Sequence, residues 1–423
     1  MQSNMEDQLF MTQAPYIDLS SPSLKGNPYR EFERIRSEDP VHLVTLPGQR
    51  QGWLITRYED AERALRDPRF VKDARRVFSP EQLARQFPWL RAEGEATDHD
   101  QARIFARGLL NSDPPDHTRL RALVNISFTP RMVERWSERI QQITNALLDA
   151  VQAQGKMDVV NDFAFPLPMT VITEMLGVPS KDQTKFRQWS NVIIEASGDP
   201  REVEKRYEPI RAYRDYLRYL IDEKRKQPAD DLLSHLIETE EVGDKLTEEE
   251  LISMVSLLLI AGHETTVNLI SNGALALLLH PDQKEKLQRD PSLIKSAVEE
   301  FLRYHGPLMT ATQRWAREDL EFGGKQIRRG DYVLVVLASA NHDPQQFDHA
   351  EELDVARREN AHLAFGKGIH YCLGAPLARL EGQIAIRTLL QRLPDLRLAV
   401  PEQELIWRPG ALIMGLRALP VTF

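Results

Sequence analysis

The longest apolar run in the chain begins at Leu251 and ends near His280. Leu251-Ile252-Ser253-Met254-Val255-Ser256-Leu257-Leu258-Leu259-Ile260 is apolar on nearly every face, which predicts a helix that crosses a core. Thr247 with Glu250 three residues on reads as a capping box, and Pro281 as the stop. Some 33 residues at ~1.5 Å rise give a rod of roughly 50 Å. Shorter patterns surround it. Asn27 to Glu38 has helical spacing, and Trp53-Leu54-Ile55-Thr56 reads as a strand. Tyr58 to Arg66 is a helix stopped by Asp67-Pro68. Further helices are predicted over 131–153, 170–176, 181–197, 202–226, 230–239 and 293–304. Phe322-Gly323-Gly324-Lys325-Gln326-Ile327 is a hairpin signal, Tyr332 to Ala338 a buried strand, and Pro409 to Gly415 a turn. Residues 72–110, with Pro80, Pro88 and Gly94, are irregular, the mark of a functional or a mobile loop. The pattern is mainly α with small β-sheets. It divides into an extended arm at 1–26 and one large domain at 27–423, with no linker or repeat inside.

Four places break this pattern in a way that suggests chemistry. The first is Ala261-Gly262-His263-Glu264-Thr265-Thr266, in the middle of the apolar helix. Gly262 weakens a helix by about 1 kcal/mol relative to Ala. A buried Glu is costly unless paired, so an acid and two hydroxyls there read as a site. A kink satisfied by threonine back-bonding is the plainer reading.

The second is Asp113-Pro114-Pro115-Asp116-His117-Thr118-Arg119-Leu120-Arg121, where Asp113 reads as a helix cap and Pro114 as the first helical residue. His117 and Arg121, four apart, share a face. The third is Glu300 with Arg303, a pair that any solvated helix could carry, here flanked by Val298, Phe301 and Leu302. The fourth is Phe365-Gly366-Lys367-Gly368-Ile369-His370-Tyr371-Cys372-Leu373-Gly374, which holds the only cysteine of the 423 residues. A lone thiol is usually a small buried hydrophobe. Here two glycines let the backbone turn ahead of Cys372, and a helix begins just after it. Free amides at that helix start favour thiolate over thiol. Gly374, Ala378 and Gly382 recur every four residues and make a smooth face for a flat partner. A thiolate beside a flat partner suggests a haem iron ligand.

Phe365, Gly366, Gly368, Cys372 and Gly374 together resemble the haem-ligand signature of the cytochrome P-450 family, soluble bacterial type. The resemblance covers about residues 27 to 423 and implies that family's fold, with the long central helix over haem. It implies haem b with Cys372 as the axial thiolate. Phe365, Gly366, Gly374, Ala378 and Ala261 would contact the macrocycle, and His117, Arg121, Arg314 and His370 would bond its propionates. Ala261 to Thr266 resembles the oxygen-activation motif, with Thr265 as the alcohol and Glu264 as the acid that relays protons from solvent. Glu300, Arg303 and Arg357, fifteen before Cys372, resemble the family's Glu-Arg-Arg network, although Glu352 stands where many members have arginine. The irregular stretch would roof the pocket, and the helices around Gly198-Asp199-Pro200 would form its lid. Leu308, Met309, Thr310, Leu412, Ile413 and Met414 would line it.

The activity implied is monooxygenation: one oxygen atom from O2 enters a C–H bond of a lipophilic molecule. With no fused electron-transfer domain, a ferredoxin and an NAD(P)H-dependent reductase would supply electrons, and Lys367 is a candidate docking cation. A peroxide-driven peroxygenase, a haem sensor and a Cys–His hydrolase built on Cys372 and His370 are the alternatives. The hydrolase leaves Thr265, Arg121 and Arg314 without a role.

Charge and composition narrow the setting. A net charge of −9 argues against nucleic acid as a partner. One cysteine excludes an internal disulfide framework and suits a reducing cytoplasm. The first ten residues lack the basic and apolar blocks of a signal peptide or anchor. Residues 251–279 are long enough to span a membrane, but a central acid there costs roughly 2.5–3.5 kcal/mol, so a core helix in a cytoplasmic monomer is expected.

Overall fold

The structure is a computed structural model describing residues 14–47, 50–86, 108–195, 207–239 and 246–423. Six helices position the site: α1 (Tyr58–Arg66), α2 (Asp116–Ser127), α3 (Pro166–Met175), α4 (Glu248–Leu279), α5 (Ile294–Tyr304) and α6 (Ala375–Arg392). Both bonds of the expected capping box start α4, from the Glu250 amide to Thr247 Oγ1 at 3.2 Å and from the Thr247 amide to Glu250 Oε2 at 2.9 Å. By length and composition α4 could cross a membrane, but most of it is buried inside the protein, so it is a core helix. It packs against α3, α5 and α6. Three glycines permit that approach: a Cβ on Gly262 would meet Ile172 of α3 at 3.3 Å, one on Gly273 would meet Phe301 of α5 at 2.9 Å, and one on Gly382 of α6 would meet Leu269 at 3.1 Å.

Beside this helical core stands a five-stranded sheet. Its strands are β1 (Val41–Leu46), β2 (Arg50–Ile55), β3 (Phe70–Val71), β4 (Arg314–Ala316) and β5 (Tyr332–Val335), in the order β1-β2-β5-β4-β3. Trp53 pairs with Val333 in parallel, and Val333 with Arg314 in the antiparallel sense. Val41, Trp53, Phe70, Phe322 and Val333 form its core. A hairpin joins Leu320–Phe322 to Lys325–Ile327 through Gly323 and Gly324, both at positive φ as a tight turn requires.

Several boundaries differ from the sequence pattern. The described part of the expected arm holds a short helix, Pro22–Gly26, and Tyr16 bridges to Thr45. Ile17 and Leu19 are buried beside Phe32, so apolar contact ties this segment down. Strand β1 was not foreseen. The predicted helix over 131–153 breaks at Trp136 into Pro130–Arg135 and Ser137–Gln152. Val336 leaves the strand and Leu337–Ala340 is helical. Asp113 caps nothing: α2 starts at Asp116, and the Asp113 carboxylate accepts from the Lys72 and Asp73 amides instead. Within the stretch expected to be irregular, Ala74–Arg76 and Pro80–Gln86 are helical. Its roof portion at 87–107 lies outside the described residues, as do Gly198-Asp199-Pro200 of the expected lid and residues 240–245, expected from their acidic run to be a surface loop.

Candidate active site

The loop before Cys372 turns as its glycines foretell. Gly366 has φ +69° and Gly368 φ +71°, and a Cβ on Gly368 would meet the Leu65 carbonyl of α1 at 2.9 Å. The Cys372 amide donates back to the Phe365 carbonyl at 2.9 Å, which closes the loop. Cys372 is half-buried at the threshold of α6. Burial pushes its thiol up, against the pull of the Gly374 amide, Arg121, the Ala375 amide and Arg379. The amides at the helix start pull toward the thiolate, as the sequence suggests, and burial opposes them. A metal cation bound there would favour the thiolate further. Nor is the smooth face continuous. Gly374 and Ala378 are partly accessible, whereas Gly382 is packed on Leu269 and Val298.

Next to the loop, cationic side chains converge. The rings of His117 from α2 and His370 lie with centroids 4.3 Å apart, tilted by 60° to each other. Arg314 from β4 is buried, and its Nη2 donates to the Leu65 carbonyl at 3.3 Å. Lys72, just after β3, is buried too and donates to the carbonyls of Thr312 at 3.0 Å and Gln313 at 3.1 Å. Burial, then Lys72, His117, Arg314 and Arg121, together hold His370 down to about 2. Burial lowers Arg314 to about 10, partly offset by Asp113. His117 Nε2, His370 Nε2 and Arg314 Nε are buried with no hydrogen-bond partner among the described residues. Buried donors left without an acceptor are costly, and a group bearing negative charge relieves them. Lys72 was missed, because nothing in Phe70-Val71-Lys72-Asp73 distinguishes it from a surface lysine.

Along α4 the two proposed oxygen-activation residues part company. The helix runs unbroken through Gly262. Ala261 is exposed and Thr265 partly so, in the middle of an otherwise buried rod, so this flank borders open space. Thr265 Oγ1 donates to the Ala261 carbonyl at 2.9 Å and Thr266 Oγ1 to the Gly262 carbonyl at 3.3 Å, the back-bonding that the plainer reading expected. Glu264 is only 2% exposed and does not share that flank; its Oε1 accepts from Arg408 Nη1 at 2.6 Å. The turn after Arg408 forms as expected, with Gly410 at φ +106° and Ile413 bridged to Leu308. Leu308, Leu412 and Ile413 are partly accessible. Met309, Thr310 and Met414 are not, since both methionines belong to the packed core with Ile17 and Phe32.

The side of the cysteine loop away from α4 is braced by ion pairs. Glu300 is fully buried and takes two bonds from Arg303 at 2.8 Å each and one from Arg357 Nε at 3.0 Å. Arg357 is thus the third partner. Glu352 contributes its backbone carbonyl to Arg303 at 2.9 Å, while its carboxylate lies 3.3 Å from His349. A second brace was not foreseen: Glu299 accepts from Arg379 at 2.7 and 2.8 Å and lies 3.0 Å from His362. Arg379 lies 4.5 Å from the Phe365 ring centroid and reaches the Tyr371 hydroxyl at 3.3 Å. Lys367, the proposed docking cation, lies 3.7 Å from Glu62.

Residues 90–404 match the family model described as Cytochrome P450. The chain belongs to the cytochrome P450 family. It is 46% identical over 408 residues to cytochrome P450 CYP107DY1 of Priestia megaterium, covering 96% of this chain and 98% of that one. It is 42% identical to the 6-deoxyerythronolide B hydroxylase of Saccharopolyspora erythraea, covering 97% and 99%. Among solved structures it is similar to the myxobacterial cytochrome P450 CYP267B1 in complex with myristic acid, with TM-score 0.89, 42% identity and coverage of 96% and 98%. The fold is therefore the P450 fold and the protein a P450 monooxygenase. The family carries haem on a cysteine thiolate, and the only cysteine here is Cys372. The residues present fit that group: a half-buried cysteine with Gly374 beside its sulfur, Ala378 partly accessible one turn on, and buried unpartnered donors for two carboxylates.

Proposed function

We propose that this P450 hydroxylates a lipophilic small molecule in the cytoplasm, acting as a monomer with electrons from a separate ferredoxin and its NAD(P)H-dependent reductase. The observation that carries the reading is the convergence of Lys72, His117, Arg121, Arg314 and His370, with three unpartnered nitrogens, beside the one cysteine. Bound haem supplies the redox chemistry by which dioxygen, two electrons and two protons convert a C–H bond to C–OH and water.

The chain's own residues do the rest. Cys372 would hold the iron, and Phe365, Gly366, Gly374 and Ala378 would contact the macrocycle. His117, Arg121, Arg314 and His370 fix its orientation by bonding the propionates, with Lys72 adding positive charge. Ala261 leaves room on the opposite flank, where Thr265 offers the hydroxyl that passes a proton. Glu264 is the acid behind it. Leu308, Leu412 and Ile413 offer apolar surface to substrate, and the myristic acid bound to the CYP267B1 neighbour supports an aliphatic ligand.

The test is a screen of fatty acids, myristic acid included, steroids and terpenoids for a Soret shift of the ferric protein. Turnover under labelled dioxygen follows. One labelled oxygen per product molecule supports the reading, and unlabelled product made only with peroxide contradicts it. Thr265→Ala is expected to bind ligand unchanged but to release most of its electrons as hydrogen peroxide, a several-fold loss of coupling. Unchanged coupling removes Thr265 from the proton path.

A further inference from the structure

Glu264 poses a problem of charge. A carboxylate at 2% exposure inside an apolar helix bundle is retained only if something compensates it. His263 does not, since its Nε2 lies 3.8 Å away and burial keeps that imidazole below its usual range. The compensation comes from 144 residues away, in Arg408. It reaches only one oxygen: Glu264 Oε2, the atom nearest His263, is buried with no hydrogen-bond partner among the described residues.

Arg408 is itself held at fixed points. Its amide donates to the Gly415 carbonyl at 2.8 Å, and buried Lys25 Nζ donates to its carbonyl at 2.8 Å and to that of Ile413 at 2.5 Å. Gly415 lies directly on Asn268, one turn beyond Glu264, where a Cβ would run into the Asn268 amide. Asn268 Nδ2 in turn donates to the Glu264 carbonyl at 2.9 Å, and Asn272 Nδ2 to the Met414 carbonyl at 2.8 Å. The segment 407–416 is therefore clamped along one face of α4. That same segment carries Leu412 and Ile413, the residues proposed to meet substrate.

We infer that Arg408 is the positioning residue for the Glu264 carboxylate, fixing Oε1 so that the bare Oε2 is the oxygen that takes up and passes the proton. Arg408 touches no reacting atom and works only through Glu264. The inference rests on the reading of Glu264 as the proton-relay acid. Its consequence is that proton supply is anchored to the C-terminal turn, so a ligand that moves Leu412 and Ile413 also moves the acid's counter-charge.

The experiment is a double-mutant cycle in the full-length haem-loaded enzyme, with Glu264→Gln, Arg408→Gln and both together, and myristic acid as the probe. Readouts are the fraction of NADPH electrons recovered as peroxide, the solvent deuterium isotope effect on NADPH oxidation, the melting temperature and the reduced-CO spectrum. Arg408→Gln is expected to raise the isotope effect and lower coupling about 10-fold while the CO spectrum stays unchanged. On the Glu264→Gln background the same change should have no further effect on either kinetic readout. Arg408→Lys should restore part of the coupling. If Arg408→Gln is too unstable to purify, the double variant, which leaves no buried unpaired charge, compared with Glu264→Gln alone still decides the matter. Additive effects of the two substitutions, or a melting-temperature change with unaltered coupling and isotope effect, overturn the role of Arg408 alone. No effect from Glu264→Gln removes the underlying reading as well.

Discussion

Cys372 and the side chains around it show what one residue can disclose. The cysteine and its glycines were legible from their own spacing, whereas His117, Arg121, Arg314 and His370 were singled out only by the family resemblance. Lys72, Arg379 and Arg408 were not, since each reaches the site from sequence surroundings shared by any surface cation; only burial singles out Lys72. Glu299 illustrates the same limit. It precedes the Glu-x-x-Arg pair and reads as a solvated neighbour, yet it clamps Arg379 and His362. Burial pushes its carboxyl up, but the bonds from Arg379 and His362 outweigh this and bring it to about 2, against an ordinary value of 4.5. A depressed carboxyl stabilises the fold above its unfolded value, and that contribution fades as pH falls from 4.5 toward 2. The difference corresponds to about 3 kcal/mol at most. Melting temperatures of the holoenzyme between pH 5 and 3 should therefore fall more steeply for the parent than for Glu299→Gln; parallel slopes would contradict this.

At the scale of elements, α4 was read almost to the residue, because its capping box and stop are local. What its middle does was read less well. Glycine, acid and hydroxyls were visible, but periodicity alone did not reveal that Glu264 turns from the flank of Thr265 toward Arg408. That separation follows from the ~100° between successive helical residues, and the choice of flank from where the C-terminal turn packs. Gly415 makes that packing possible. Gly415→Ala should force the turn off α4 and destabilise the protein by about 1–3 kcal/mol, read as a lower melting temperature. An unchanged melting temperature would show that the turn yields without cost. The missed strand β1 has a different cause: its pattern is legible only once β2 is present to pair with it.

Across the molecule, the helical core and the sheet core are joined by the arginines of the Glu300 network. Arg303 bonds the carbonyls of Asn341 at 3.0 Å and Ala350 at 2.7 Å, while Glu300 also takes the Asp354 amide at 3.0 Å. One buried carboxylate thus fixes the segment leading to the cysteine loop. The family resemblance named all three partners but not the carbonyls, because backbone bonds leave no residue signature. Glu300→Gln breaks a buried pair and should cost about 3–5 kcal/mol, seen as a lower urea midpoint with reduced haem content. Full haem content at an unchanged midpoint would contradict the bracing role.

The central claim is that Cys372 is the thiolate ligand of a haem held by this cationic cradle. The reduced-CO difference spectrum of purified Cys372→Ser beside the parent tests it most directly. The parent should give the red-shifted band of a thiolate-ligated haem and the serine variant should not. The same red-shifted band in Cys372→Ser would contradict the account.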